Sequence, residues 1–71
     1  MVKMQLTGQI TKSKKDYFII NCDNFEFIVN SEGHSYNKGD EITVVATLED
    51  INYFLTMEYV EFICKEDLQS D

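Results

Sequence analysis

Polar and apolar residues alternate along the start of the chain, which is the pattern of a half-buried β-strand. One face of this strand carries Met4, Leu6, Gly8 and Ile10, and the other carries Gln5, Thr7, Gln9 and Thr11. Glycine weakens the middle of a strand, so Gly8 predicts a bulge or a sharp bend. A barrel needs such a bend where a strand passes from one side to the other.

Two further strands follow as a hairpin. Residues 13–16 form a polar turn, and the segment from Tyr17 to Cys22 is dense in β-branched and aromatic residues, with Phe18, Ile20 and Cys22 on one face. Asp23 and Asn24 make a two-residue connection of residues that tolerate a positive φ. The next strand has Phe25, Phe27 and Val29 as its expected inner set.

The second half of the chain begins with a long connection. Residues 30–40 contain two of the three glycines and no apolar period, so they predict a loop that could include one helical turn. The alternation resumes from Glu41 to Leu48, which predicts a fourth strand. Residues 49–52, Glu-Asp-Ile-Asn, predict the next turn.

The last apolar segment, Tyr53 to Cys64, changes phase midway. A strand with a bulge near Glu58 and Tyr59 would account for this change, because one extra residue turns every later side chain to the other face. An amphipathic helix is the alternative, but the many β-branched and aromatic residues favour a strand. We therefore expect one β-barrel domain over residues 1–65 and a disordered acidic tail over residues 66–71.

Five strands with one long connection resemble a minimal OB-fold barrel. The resemblance is carried by the runs Leu6-Thr7-Gly8-Gln9-Ile10, Asp16-Tyr17-Phe18-Ile19-Ile20, Lys38-Gly39-Asp40-Glu41-Ile42-Thr43-Val44 and Phe54 to Ile63. It implies a first strand that coils around the barrel, a Gly-Asp turn before strand four, and a loop or helix between strands three and four. The linker here is too polar to be the packed helix usual in that fold. An SH3-like barrel, also built of five short strands, is the alternative.

Composition limits the function classes. The 71 residues allow one small domain, and thirteen acidic residues against six Lys and no Arg give a net charge of −7. This balance disfavours a protein that grips nucleic acid mainly through its phosphates. The alternating start predicts neither a signal peptide nor a membrane span, so we expect a cytoplasmic protein. The excess of residues with AT-rich codons suggests a low-GC bacterium, or one of its phages or mobile elements.

Residues able to carry out chemistry are few. His34 is the only imidazole, lies in the polar loop, and has no nucleophilic motif beside it, so we expect a solvated side chain. Cys22, His34 and Cys64 lack the close spacing of zinc ligands, and both cysteines sit in apolar strand patterns typical of reduced core thiols. The sequence contains no phosphate-binding glycine motif and no calcium loop. The sequence therefore predicts no enzyme activity, no metal site and no cofactor.

Binding is the remaining function class. If Phe18, Phe25 and Phe27 face inward, an outward contact face remains, with lysines at its rim. The candidate site residues are Tyr17, Ile19, Ile28, Lys12, Lys14 and Lys15.

The charge favours a protein partner for this face, above all a basic one such as a nucleic-acid-processing protein. In a phage or mobile element, the carboxylates could stand in for phosphates and block a host DNA-binding protein. The alternative is a single-stranded nucleic-acid-binding domain that stacks bases on Tyr17 and contacts phosphates through the lysines of residues 12–15.

Overall fold

Five β-strands close into a barrel. The computed structural model of the chain describes residues 2–23, 25–53 and 60–67. The strands are β1 (Val2–Ser13), β2 (Tyr17–Cys22), β3 (Phe25–Asn30), β4 (Glu41–Tyr53) and β5 (Val60–Glu66), and no helix occurs within the described ranges.

The strand order is β1-β2-β3-β5-β4, with β4 pairing back onto β1. Strands β3 and β5 are parallel, whereas every other neighbouring pair is antiparallel. The first three strands thus form a meander, and β5 inserts between β3 and β4. The prediction of an all-β, five-stranded barrel is confirmed, and the arrangement is consistent with an OB-like fold.

Strand β1 pairs with two neighbouring strands. It pairs with β4 over residues 2–9 and with β2 from Gln9 onward, so that Gln9 lies opposite both Asn21 and Glu41. A Cβ atom on Gly8 would lie 2.0 Å from the carbonyl oxygen of Asn21, so only glycine allows β2 to approach this closely. The β1–β2 register shift lies later, between Ile10 and Lys12. The glycine therefore marks the close approach, and the bulge follows it.

The core is built from alternate positions of all five strands, as strand geometry requires. Its buried residues are Leu6, Ile10, Phe18, Ile20, Phe27, Val29, Val44, Ala46 and Cys64. Cys22 is partly buried against this cluster, so both cysteines act as core hydrophobes, as predicted.

Phe25 differs from its expected position in the inner set, because its side chain is 50% exposed. It is the first residue of β3, two positions after Asp23, which adopts the positive φ of 58° that the predicted hairpin connection allows. Its ring packs edge-on against Phe62, with ring centroids 5.8 Å apart. Phe25 is in phase with the inward residues Phe27 and Val29, as predicted, but at this end of the barrel half of its side chain remains exposed.

Strand β4 is longer than predicted, and the expected turn at residues 49–52 is wrong. Asp50 pairs with Ile63 and Ile51 with Phe62, after a register shift between Leu48 and Asp50. Glu49 is the extra residue of this bulge, and such a residue re-phases the strand without ending it. The connection at residues 54–59, with the bulge predicted near Glu58 and Tyr59, lies outside the described residues.

The end of the barrel also lies later than expected. Glu66, which the sequence analysis placed in the acidic tail, is the last residue of β5 and only 9% exposed. The Asp67 N–H donates to the carbonyl of Val45 at 2.8 Å, and its carboxylate pairs with Lys3 at 3.0 Å. Two residues of the predicted tail therefore belong to the barrel. Residues 68–71 lie outside the described part of the chain.

Candidate functional site

The loop between β3 and β4 covers one end of the barrel. The Ser31 N–H donates to the Asp16 carbonyl in the β1–β2 turn (2.9 Å), and the Gly39 N–H donates to the Ile10 carbonyl of β1 (2.8 Å). The Ser13 hydroxyl adds a bond to the carbonyl of Tyr36 at 2.7 Å. The loop thus takes the place of the helix that packs there in an OB-fold.

Two aromatic side chains of this loop stack over the core. The rings of His34 and Tyr36 lie 5.5 Å apart with an interplanar angle of 21°, and both meet the buried Phe18 ring edge-on. Such edge-on contacts add to the gain from burying the rings. His34 is half-buried, so the expectation of a solvated histidine is wrong.

Both ring nitrogens of His34 make hydrogen bonds. The Tyr36 N–H donates to Nδ1 at 3.1 Å, so Nδ1 carries no proton. Nε2 faces the carbonyls of Lys14 and Tyr17 (3.1 Å for Tyr17) and donates to them. Both ring nitrogens are therefore engaged in holding the loop, Nδ1 as an acceptor and Nε2 against the two carbonyls.

Glu66 completes this cluster from inside the barrel. Its Oε1 accepts from the Ser31 hydroxyl and its Oε2 from the Tyr36 hydroxyl, both at 2.9 Å. Burial, followed by the hydrogen bond to Glu66 and its negative charge, raises the pKa of Tyr36 above its usual value. We call Ser31, His34, Tyr36 and Glu66 the end plug. Among the described residues, no buried side-chain nitrogen or oxygen lacks a hydrogen-bond partner.

Neither cysteine in the described part of the chain is activated as a nucleophile. Burial raises the pKa of the Cys64 thiol to about 11, with Glu49 and Cys22 adding to the effect, and burial also raises the pKa of Cys22. Both are thiols at neutral pH, and a thiol is a poor nucleophile compared with a thiolate. Within residues 2–23, 25–53 and 60–67, no three His, Cys, Asp or Glu side chains are grouped to hold a metal ion.

The outer face of β2, β3 and β5 presents a row of aliphatic side chains. Ile19 pairs with Ile28 across the antiparallel β2–β3 ladder, and Ile28 pairs with Ile63 across the parallel β3–β5 ladder. All three are only partly buried. We call these three residues the isoleucine row. Lys12 of β1 pairs with Ile19 at one end of the row, and Asp50 of β4 pairs with Ile63 at the other.

Two polar rows flank the isoleucine row on the same face. The row toward the β2–β3 connection contains Asn21, Glu26 and Glu61 in register. The Asn52 side-chain amide donates to Glu61 at 3.2 Å.

The row on the other side, toward the end plug, contains Tyr17, Asn30 and Lys65 in register. Along β5 the outward residues therefore run from acidic Glu61 through apolar Ile63 to basic Lys65. The charge of these outward residues therefore changes from negative to positive along β5.

The structure places the candidate residues from the sequence in two groups. Tyr17, Ile19 and Ile28 share the outer face, and Lys12 joins them with its Nζ 6.0 Å from the centre of the Tyr17 ring. Lys14 and Lys15 are exposed in the β1–β2 turn, where their carbonyls accept hydrogen bonds from the covering loop. These two lysines lie beyond the end of β1 and next to the end plug.

Sequence reasoning missed Ile63 and Glu61 as members of this face. The alternation that turns Phe62 and Cys64 inward already implies that residues 61, 63 and 65 point outward. Their position beside β3, however, depends on a parallel pairing between strands 30 or more residues apart, which no local pattern announces.

Comparisons with known proteins do not assign the chain to a family. No family model matches it, and neither the curated proteins nor the solved structures contain a significant match. The described part of the chain also contains no helix with the length and hydrophobicity needed to cross a bilayer.

Proposed function

We propose that this protein is a non-catalytic binding module of the cytoplasm that docks a protein segment on the outer face of β2, β3 and β5. The observation that carries the proposal is the isoleucine row: three β-branched aliphatic side chains stand side by side, partly exposed, on three paired strands. The polar side chains of His34, Tyr36 and Glu66 are engaged in the end plug.

Interface physics supports this choice of face. Removing apolar surface from water contributes roughly 25 cal/mol per Å² to the free energy of binding. Because the three isoleucines are neighbours, a single partner segment can cover them together. Tyr17, at the edge of the row, is the kind of aromatic residue that often anchors an interface. Charged residues surround the row and do not interrupt it, as is typical of an apolar interface centre with a polar rim.

A single-stranded nucleic acid is the second candidate occupant. Its supporting observation is Lys12 Nζ at 6.0 Å from the Tyr17 ring, with Lys14 and Lys15 on the adjoining turn. An OB barrel uses this side of the sheet for oligonucleotides, with aromatic residues for stacking. Against it stand Glu26 and Glu61 on the same face and the net charge of −7, which repel phosphates.

Selection of random peptides displayed on phage tests the proposal. Peptides that bind the wild-type protein should lose binding to Ile28→Glu, because a carboxylate in the middle of the row cannot be buried without a partner. Val2→Glu is the matched control, since Val2 is an exposed aliphatic residue (58%) on β1 that gains the same charge. The control should bind like the wild type. Equal binding by wild type and Ile28→Glu would overturn the proposed face.

Fluorescence anisotropy with labelled single-stranded DNA and RNA, at low and then moderate salt, separates the two candidates. We expect no binding at either salt concentration. Salt-sensitive binding that disappears when Lys12, Lys14 and Lys15 are replaced by alanine would put nucleic acid first, because phosphate contacts through lysines carry that salt dependence.

A further inference from the structure

His34 is the only histidine of the chain, and its ring helps to hold the middle of the covering loop. The Tyr36 N–H donates to a side-chain nitrogen, Nδ1 of His34, at 3.1 Å. Near the end of the loop, the Gly39 N–H donates instead to a backbone carbonyl, that of Ile10, at 2.8 Å. An imidazole nitrogen titrates in mild acid, whereas a backbone carbonyl does not. Two amides of the same loop should therefore respond differently to acid.

Acid removes the acceptor of the Tyr36 N–H. Imidazole takes up a proton from water between about pH 5 and pH 8. On His34 the added proton binds Nδ1, because Nε2 faces two carbonyls, which only accept hydrogen bonds, and so carries a proton already. An imidazolium ring has a hydrogen on both nitrogens and accepts no hydrogen bond. The Tyr36 N–H would then face another N–H, which is unfavourable for a partly buried donor.

The charged groups around the ring do not replace this hydrogen bond. On the β1–β2 turn these are Lys14, Lys15 and Asp16, in the loop Glu32, Lys38 and Asp40, and on β5 Lys65 and Glu66. All except Glu66 are exposed, so solvent screens them, and both carboxylate oxygens of Glu66 accept from hydroxyl groups. The neighbouring phenols of Tyr17 and Tyr36 are groups that ordinarily titrate near pH 10. The only ion pair in the described part of the chain joins Lys3 to Asp67, so no carboxylate there is paired with His34.

We propose that protonation of His34 loosens residues 33–36 of the covering loop, so that this end of the barrel is closed at neutral pH and opens in mild acid. The ring would leave its positions against Phe18 and Tyr36, where the ring centroids are 5.1 and 5.5 Å apart. Phe18 is fully buried in the closed form, so opening would expose an apolar ring. Residues 39–40 would stay in place, because the N–H and the carbonyl of Ile10 both bond to their backbone.

Amide hydrogen exchange, measured by NMR at about pH 7.5 and about pH 5.5, tests this proposal across the range in which imidazole titrates. After correction for the intrinsic pH dependence of exchange, the protection of the Tyr36 amide should fall about tenfold at the lower pH, as expected for the loss of one hydrogen bond. The Gly39 amide should keep its protection. The ring C–H signals of His34 report its protonation, and their midpoint should coincide with that of the loss at Tyr36.

Two variants distinguish the imidazole from a general weakening of the loop. In His34→Asn, the side-chain oxygen lies one bond from Cγ, as Nδ1 does, and can accept from the Tyr36 N–H without titrating. We expect equal protection of the Tyr36 amide at both pH values in this variant. Tyr36→Phe is the matched control, because it removes the hydroxyl bond to Glu66 but keeps the backbone N–H that donates to His34. Its residue 36 amide should lose protection in acid as the wild type does.

The wild-type comparison of Tyr36 with Gly39 requires no variant. Unchanged protection at Tyr36, while the ring signals of His34 show protonation, would overturn the proposal. An equal loss at Gly39 would also overturn it, because the loop would then open as a whole and not at the histidine. A folded His34→Asn variant that loses protection in acid like the wild type would assign the effect to another titrating group, with the same consequence.

Discussion

The end plug and the isoleucine row use their residues in opposite ways. The plug contains polar side chains that could carry out chemistry, but each one makes hydrogen bonds within the fold. His34 bonds through both ring nitrogens, and Glu66 through both carboxylate oxygens. The row contains side chains without polar atoms, and these remain partly exposed on paired strands. In this barrel the polar residues close the fold, and the aliphatic residues are left available for binding.

The difference follows from the shape of a barrel. A closed sheet has no free edges, but its ends must be covered. Here one end is covered by a loop without a helix, so hydrogen bonds and ring packing must hold the loop in place. A buried carboxylate that accepts two hydroxyl donors suits this task, since an unpaired polar group would be costly there. Four predictions test the contrast.

The largest expected effect is on the plug side. Phe18→Ala should lower the free energy of unfolding by about 3–5 kcal/mol, because Phe18 is fully buried and supports both rings of the covering loop. The neighbouring Ile19→Ala should cost about 1 kcal/mol, since Ile19 is only half-buried. Urea unfolding measures both values. Similar losses of unfolding free energy in the two variants would contradict the distinction between the end plug and the isoleucine row.

Glu66 should be the next most sensitive position. Glu66→Ala leaves the buried Ser31 hydroxyl and the partly buried Tyr36 hydroxyl without their acceptor and should cost about 2–3 kcal/mol. Tyr36→Phe removes a single bond and should cost about 1 kcal/mol. Glu61→Ala, on the outer face, is the comparison and should cost less than about 1 kcal/mol. A Glu61 effect as large as that of Glu66 would contradict the account.

Alkaline pH should weaken the fold through the buried Cys64 thiol. The pKa of Cys64 is raised from 9.0 to about 11, so the folded protein retains this proton longer than the unfolded chain. The stabilisation is complete below about pH 9 and is lost as pH rises toward 11, on the order of 2 kcal/mol in all. The raised pKa of Tyr36 extends the decline above pH 10.

Unfolding midpoints measured across this alkaline range test the linkage. The loss between about pH 9 and pH 11 should be smaller in Cys64→Ala, which has no thiol to ionise, even though its stability at neutral pH is lower. An unchanged slope in this variant would show that Cys64 does not carry the effect.

The smallest effect on stability should come from the isoleucine row. Ile28→Glu should change the free energy of unfolding by about 1 kcal/mol or less, because the side chain can keep its charge in water. The same variant should abolish peptide binding. A collapse of the fold in Ile28→Glu would show that the row belongs to the core.

The sequence predicted most of the fold because strand alternation is local. It assigned β2 to its exact residues and placed β3, the long loop and the start of β4 correctly. It misassigned residues 49–52, because Glu49 and Asp50 are exposed in a bulged strand and resemble turn residues. It placed Glu66 in the tail, because the burial of this carboxylate depends on two hydroxyls brought from a distant loop.

The candidate face could be predicted only in part. Alternation alone identifies Ile19 and Ile28 as outward neighbours on a hairpin, with Tyr17 on the same face. Ile63 and Glu61 join them through the parallel β3–β5 pairing, which is nonlocal. The engagement of His34 was likewise hidden, since its partners are backbone carbonyls that only the folded turn brings close.

The most direct test of the central claim is a map of amide chemical-shift changes when a selected peptide is titrated into the isotope-labelled protein. The account predicts the largest changes at Ile19, Ile28 and Ile63 and at the neighbouring Glu26 and Glu61, with residues 31–40 nearly unchanged. Changes concentrated in residues 31–40, with the isoleucine row unaffected, would contradict it.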